Sequence, residues 1–187
     1  MNTLKVRVNG RELECPFHTP VADVVDQVPP DPSGLPYIGA LVNNDLCSLS
    51  YPIEVDGEVT LLTLAHPYGW RIYARSLSFL LAKAAYDLFP KATFNVSYSI
   101  GTGLYCLLQK ENDGHEIGIT AAEVERIENR MRELVSRDIP LERQKISYSQ
   151  AVSLFEKAGQ LDRLNLLQYR NPPRVVIHVC ENFYEPA

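Results

Sequence analysis

The chain has 187 residues, of which 45% are hydrophobic and 22% are charged, so it can form one large domain or two small ones. Its formal charge of −5 is uneven: residues 1–66 hold three Lys/Arg against nine Asp/Glu, and residues 67–187 hold the other fifteen against fourteen. This distribution argues against tight, nonspecific binding of nucleic acid and leaves room for a local basic surface in the second part.

Several classes of protein are excluded by simple patterns. No apolar run approaches the length of a membrane span, and the N-terminus, MNTLKVRVNG, lacks the apolar core of a signal peptide. The four cysteines are isolated, without any CxxC pair. We therefore expect a reduced, cytoplasmic protein without a membrane segment, whose thiols are structural.

The first 66 residues predict a small mixed sheet crossed by one helix. Alternation in Leu4–Val8, the turn Asn9–Gly10 and a return strand to Cys15 indicate a hairpin. Thr19 and Pro20 are typical of a helix start, with Thr19 as the N-cap. Further strands around the turns Asn43–Asn44 and Asp56–Gly57 complete a ubiquitin-like, β-grasp arrangement.

The remaining residues predict an α+β domain built on a long helix over Trp70–Pro90. Its core face is predicted to hold Tyr73, Leu77, Leu80, Leu81, Ala84 and Leu88, and a second, exposed row holds Arg75, Phe79 and Lys83. Two strands joined at Gly101–Gly103 follow. Capping boxes at Thr120–Glu123 and Ser147–Gln150 each predict a helix, and 174–179 is predicted to be a central strand.

Candidate chemistry is sparse. Gly101–Gly103 lacks the lysine of a phosphate loop and is interpreted as a hairpin bend. No two histidines have metal-ligand spacing, so no metal site is predicted. Cys180 ends a strand without a base placed beside it by spacing, which favours a structural thiol over a nucleophile. Arg75 and Lys83, two helical turns apart, are either an anion clamp or a solvated flank.

Several segments together resemble the N-terminal region of threonyl-tRNA synthetase, across essentially the whole chain. LKVRVNGRELEC and IGALVNNDLCSL resemble its TGS domain; ARSLSFLLAKAAYDLFP, SIGTGLYCLL, EVERIENRMRELV, KISYSQAVSLF and VCENFYEP resemble its editing-type SAD domain. The resemblance implies a TGS-like β-grasp domain over 1–66 and an SAD-like α+β domain over 67–187.

The resemblance departs at the editing residues. The family's HxxxH falls on Arg75 and Phe79, and its later CxxxH falls on Cys180 and Tyr184, so that only the cysteine remains. A guanidinium does not ligate zinc as imidazole does, and a phenyl ring has no donor. We therefore expect the fold without the hydrolysis, with no catalytic residue in this set.

Uridine kinase-like nucleoside kinases are the second family that the chain resembles, through YARSLSFLLAKAAYDLFP and SIGTGLYC. There, TGS and SAD-like domains precede a P-loop kinase domain. This resemblance implies an accessory region without a cofactor of its own, followed beyond Ala187 by a kinase domain that uses ATP and Mg²⁺.

Three functions follow as hypotheses. The first is a nucleoside-kinase accessory region whose SAD-like cleft binds a nucleotide or RNA feature through Arg75 and Lys83, with Phe79, Tyr105 and Tyr184 as aromatic walls and Cys180 in the cleft. The second is a freestanding aminoacyl-tRNA deacylase that uses Cys180 as ligand or nucleophile. The third is an interaction module whose acidic TGS-like domain docks a basic protein. The ligand and the oligomeric state are left open.

Overall fold

The computed structural model describes residues 3–101, 103–112, 115–169 and 173–186. They form an α+β structure of two compact units, Met1–Leu77 (unit 1) and Ser78–Ala187 (unit 2), which confirms the predicted class. The predicted domain border between residues 66 and 67 stays a prediction. No helix in the described ranges is both long and apolar enough to cross a membrane.

Unit 1 is a mixed sheet with a short helix and the first half of a long one. Its elements are β1 (Thr3–Val8), β2 (Arg11–Pro16), β3 (Thr19–Pro20), α1 (Val21–Val25), β4 (Gly39–Val42), β5 (Asp45–Cys47), β6 (Pro52–Ile53), β7 (Gly57–Leu62) and the start of α2 (Pro67–Leu88). Five strands form one sheet in the order β2-β1-β7-β4-β5, and β3 pairs with β6. Only the β1–β7 pair of that sheet is parallel.

The hairpins of unit 1 confirm the turn predictions. Asn9 and Gly10 have φ of 46° and 85°, and Asn43 and Asn44 have φ of 49° and 71°. These left-handed conformations suit tight turns, and asparagine and glycine tolerate them best. Alternate residues of β1 and β7 then point into one core with α1, so that Val6, Val8 and Val59 are almost fully buried.

The predicted N-cap at Thr19 is wrong. The cap position of α1 is Pro20, with no side-chain cap hydrogen bond, because Thr19 and Pro20 pair with Ile53 and Pro52 as β3. The Thr19 hydroxyl instead donates to the carbonyl oxygen of Pro16 at 2.7 Å. Thr19 and Pro20 therefore belong to a strand pair, although their local sequence preference predicted a helix start.

Helix α2 begins three residues earlier than predicted, at Pro67 instead of Trp70. Proline is favoured in the first turn because its missing N–H is not needed there. Gly69 lies against the end of β7: a Cβ at this position would lie 2.0 Å from the carbonyl oxygen of Thr63. Ile72 packs on Gly39 of β4, where a Cβ would lie 2.3 Å from its Cδ1. These close approaches fix the first half of α2 on unit 1.

Unit 2 contains the second half of α2, two three-stranded sheets and three further helices. Its other elements are β8 (Thr93–Ile100), β9 (Gly103–Asn112), β10 (His115–Ile117), α3 (Ala121–Ser136), β11 (Glu142–Ser147), α4 (Tyr148–Ala158), α5 (Leu161–Gln168), β12 (Arg174–Cys180) and β13 (Phe183–Pro186). The sheets run β10-β9-β8 and β11-β12-β13, so β12 is central as predicted. β8 and β9 pair in antiparallel register from Thr93↔Gln109 to Ile100↔Gly103, which confirms the hairpin bend.

Helices α3 and α4 begin as predicted, at capping boxes of Thr120 with Glu123 and of Ser147 with Gln150. Only some of the apolar side chains of α3 are buried. Ile127 and Leu134 are buried, whereas Val124 and Val135 are 50% and 64% exposed. The helix thus packs along a narrower stripe than its apolar residues indicated.

The capping box of α3 should make the stability of the fold depend on pH, because it lowers the pKa of Glu123. The Glu123 carboxylate accepts hydrogen bonds from Lys110 Nζ at 2.7 Å and from the Thr120 N–H at 2.9 Å, which lower its pKa from 4.5 to about 2. Its stabilisation of the fold is therefore complete above pH 4.5 and lost as pH falls through about 2. NMR titration of the Glu123 carboxyl should give that low midpoint, and Lys110→Met should raise it. A midpoint near 4.5 in the unmodified chain would contradict the hydrogen bonds.

Candidate functional site

The candidate site lies where the second half of α2 meets the β12–β13 hairpin. Its buried core consists of Phe79 and Ala82 from the helix, Cys180 from β12 and Phe183 from β13. Phe79 and Phe183 meet edge-to-face with ring centroids 5.3 Å apart. The predicted pair of Phe79 and Cys180 is thus brought together, in a packed aromatic cluster.

The exposed row predicted on α2 is wrong for Phe79 and Lys83, whereas Arg75 is exposed as predicted. Phe79 is 8% exposed and Lys83 only 1%, whereas Tyr73 and Leu77, predicted to face the core, are 39% and 38% exposed. In unit 2 the helix is covered on two sides, by α3 with β9 on one and by the β12–β13 hairpin on the other. A single apolar stripe cannot describe a helix buried on two sides.

Lys83 is the centre of a closed ion network. Its Nζ donates to Asp87 Oδ1 at 2.6 Å and to Asn182 Oδ1 at 3.2 Å, and it lies 3.3 Å from Glu181 Oε2. Arg130 of α3 binds the other Asp87 oxygen at 2.7 Å, and Arg137 pairs with Glu181. Because a buried ammonium is stable only when it is paired, the carboxylates explain how Lys83 can be buried.

This network occupies the predicted anion contact. Among the described residues, the polar partners of the Lys83 ammonium are the carboxylates of Asp87 and Glu181 and the amide oxygen of Asn182, so its charge is directed at groups of the protein itself. A ligand phosphate would have to displace Asp87 or Glu181 to reach it. The ligand-binding role of Lys83 stays a prediction.

Cys180 is held as a thiol. It is 2% exposed, and burial raises its pKa, while the ammonium of Lys83 opposes this rise. Nucleophiles and metal ligands need the thiolate, which such surroundings disfavour. The adjacent Glu181 has a lowered pKa, because Lys83 and Arg137 donate to it. At this turn, the thiol of Cys180 is thus neutral and the neighbouring carboxylate of Glu181 is ionised.

The structure does not bring the other predicted residues into this cluster. Tyr184 faces the α4 side of the hairpin, edge-to-face on Phe155 at 6.4 Å, and its backbone N–H donates to Gln160. Tyr105 lies on the β8–β9 hairpin, stacked on Tyr98 at 4.8 Å and 40% exposed. Arg75 is exposed on the part of α2 that belongs to unit 1. The six predicted residues thus do not line one cleft.

Sequence reasoning missed several members of the network. The pairing of Asp87 with Lys83 could have been predicted, since the two residues have the four-residue spacing at which opposite charges pair on a helix. Arg130 and Arg137 carried no such signal, because their partners lie 43 and 44 residues away along the chain. Phe183–Pro186 was not predicted to be a strand, although it pairs with β12 across the turn at Glu181 and Asn182.

The metal-binding potential of the described residues is low. In the ranges that the structure covers, no group of three or more His, Cys, Asp or Glu side chains is arranged to hold an ion. His178 is half-buried in β12, with its ring 6.4 Å from that of Phe79. Among the described residues, the arrangement supports packing and charge pairing.

Comparison with known proteins finds threonine–tRNA ligases among the relatives of the chain, and no family model matches it. The chain is 26% identical to threonine–tRNA ligase of Aquifex aeolicus over 184 residues, which are 97% of this chain and 27% of that protein. It is 33% identical to the ligase of Nitrosococcus oceani over 123 residues (66% of this chain and 18% of that protein). The ligase of Thermotoga petrophila is 31% identical over 141 residues (75% and 21%).

The chain thus spans about a quarter or less of the length of these curated relatives, between 18% and 27%. These similarities support the predicted resemblance to threonyl-tRNA synthetase and give no support to the uridine kinase resemblance. The chain is similar to the N-terminal region of threonine–tRNA ligases.

Proposed function

We propose that the chain is an editing-type module that recognises tRNA. The observation that carries this proposal is the similarity to threonine–tRNA ligase along 97% of the chain. Under this proposal unit 1 is a TGS-type β-grasp domain and unit 2 an SAD-type domain. The mixed sheet of unit 1 and the α+β architecture of unit 2 support both assignments.

The chemistry of the candidate site favours recognition over hydrolysis. Ester hydrolysis needs a group that activates water, and this cluster holds a phenyl ring at Phe79 and a buried, neutral thiol at Cys180. The nearest charged groups pair with each other around Lys83. We therefore infer that the module binds tRNA and leaves the aminoacyl ester intact.

Binding and hydrolysis can be tested on the same preparation. We expect the full chain to bind unfractionated tRNA at low salt and to weaken as salt rises, because phosphate contacts release counterions. With misacylated threonine tRNA, with and without zinc, deacylation should stay at the spontaneous rate. Absence of tRNA binding at low salt would overturn the proposal.

A deacylase is the second candidate, and the retained Cys180 favours it. If deacylation exceeds the spontaneous rate, Cys180→Ser shows whether the sulfur takes part. An unchanged rate in that variant would place hydrolysis elsewhere in the chain.

The nucleoside-kinase hypothesis rests on the resemblance of sequence segments, and the interaction-module hypothesis rests on the acidic charge of residues 1–66. A nucleoside-kinase accessory region requires a GxxxxGK[ST] segment in the gene after Ala187, and ATP and Mg²⁺ would be cofactors of that following domain. A basic protein that docks on the acidic TGS-like domain, residues 1–66, would bind less tightly as the salt concentration rises. A cytoplasmic location fits each of these proposals and stays an expectation.

A further inference from the structure

A row of exposed apolar side chains, here called the ring row, follows the first half of α2 and consists of two aromatic rings and one leucine. Trp70, Tyr73 and Leu77 are 47%, 39% and 38% exposed, and the rings of Trp70 and Tyr73 lie 5.8 Å apart. Their spacing of three and four residues places them on one side of the helix. Large apolar side chains in a continuous exposed row indicate a contact surface, since isolated ones are common and need no explanation.

A second row on the same half-helix is cationic. Arg71 and Arg75 are exposed and one turn apart, and the Arg71 guanidinium lies 5.8 Å from the centre of the Tyr68 ring. Within the part of the chain that the structure describes, neither guanidinium has an ion pair. No Asp or Glu occurs between Glu58 and Asp87 in the sequence. Both charges are therefore available to an external anion.

The two rows are held in a fixed orientation. Gly69 and Ile72 attach the opposite side of the half-helix to Thr63 and Gly39. By helical periodicity, the small side chain of Ala74 lies between the ring row and the guanidinium row. A ligand lying along the helix can therefore touch rings on one side and guanidinium groups on the other.

We propose that the first half of α2 binds unpaired nucleotides of RNA, with the phosphates on Arg71 and Arg75 and the bases on Trp70 and Tyr73. Sequence-tolerant single-strand binding combines these two features, cations that follow the backbone and rings on which bases stack. The inference rests on the proposed tRNA function and assigns its contact surface.

The charge of unit 1 favours a narrow ligand over a broad anionic surface. Residues 1–77 hold five Lys/Arg against nine Asp/Glu. An anionic membrane would be repelled by this surplus of acidic groups, whereas a single strand can follow the helix itself.

The fluorescence of Trp70 tests the contact directly, since it is the only tryptophan in the chain. A short single-stranded ribo-oligonucleotide should quench it, and the same sequence annealed into a duplex should quench it far less, because paired bases are not free to stack. Unquenched Trp70 at saturating single-stranded RNA overturns the proposal.

Substitutions on the full chain test the two rows separately. Trp70→Ala should weaken binding of the single strand by about tenfold, and Trp70→Phe should restore most of it. Arg71→Gln with Arg75→Gln should lower the slope of log affinity against log salt by about one for each guanidinium. The matched controls are Tyr169→Ala, at a tyrosine that is 89% exposed, and Lys157→Gln, at an exposed lysine of α4. Both should bind as the unsubstituted chain does.

The outcomes separate the two proposals. If the unsubstituted chain binds tRNA and the α2 variants bind it equally well, the contact surface is wrong and the tRNA function survives. If the unsubstituted chain binds no RNA, the tRNA function itself fails. Binding to vesicles of anionic lipid that is lost in the same variants, with RNA binding unchanged, would assign the surface to a membrane and overturn the inference.

Discussion

Replacing Lys83 by methionine should destabilise unit 2 by about 3 kcal/mol, the low end of the range for removing one partner of a buried ion pair. Because methionine fills a volume similar to that of lysine, the loss of stability measures the contribution of the Lys83 charge. Asp87 and Glu181 keep Arg130 and Arg137, which limits the loss, but Asn182 loses its donor. Hydrogen exchange of peptides from residues 78–187 measures the change in unit 2 by itself.

The pH dependence of this loss has a defined sign. Hydrogen bonds from Lys83 and then from Arg137 hold the pKa of Glu181 below 4.5 in the folded chain. A lowered pKa stabilises the fold above the ordinary value, and this contribution disappears on acidification. The difference between the unsubstituted chain and Lys83→Met should therefore shrink as pH falls below 4.5.

Lys157→Met, on the exposed end of α4, is the matched control and should change stability by less than about 0.5 kcal/mol. If Lys83→Met were as stable as this control, the network around Lys83 would contribute nothing to the fold.

Truncation of Phe183 to alanine should destabilise unit 2 by about 3–5 kcal/mol, the usual cost of removing a buried phenyl ring. Phe183 is 2% exposed and contacts Phe79 and Tyr86 with ring centroids at 5.3 and 5.5 Å. The guanidinium of Arg163 lies 5.9 Å from its ring centre. A pocket of about 40 Å³ already adjoins the ring, so truncation enlarges existing unfilled space.

Variants of Phe183 that leave cavities of different size can show whether the lost stability comes from the cavity. Phe183→Leu should lose less than Phe183→Ala, because it leaves a smaller cavity. Tyr169→Ala removes an aromatic ring that is 89% exposed and should leave stability nearly unchanged. Chemical denaturation followed by hydrogen exchange in residues 78–187 compares all three. Equal losses for the leucine and alanine variants would contradict the cavity argument.

Local chemistry explains which parts of the fold could be predicted. The turns at Asn9–Gly10 and Asn43–Asn44 and the capping boxes at Thr120 and Ser147 depend on residues close in sequence, and the structure contains all of them. The strand pairing of Thr19 with Ile53 is nonlocal, and it replaced the predicted helix cap.

The candidate site was harder to predict for the same reason. The spacing of Phe79 and Lys83 placed them correctly on one side of α2, but the partner that covers that side, the β12–β13 hairpin, lies a hundred residues further on. Since the sequence gives no sign of that contact, the side of α2 that holds Phe79 and Lys83 was predicted to be exposed to solvent. Tyr184 shows the complementary error, since alternation along β13 turns it away from Cys180 and toward Phe155.

The continuity of α2 limits how such a chain can be divided by gene fusion or recombination. One uninterrupted helix packs Gly69 and Ile72 against Thr63 and Gly39 of unit 1 and supplies the buried side chains of Phe79 and Lys83 to unit 2. A crossover immediately before Pro67 would leave the first unit without the turn that packs on Gly39. One immediately after Leu88 would deprive the second unit of its buried lysine. Exchange between related genes therefore preserves both cores only when the whole helix is kept in register.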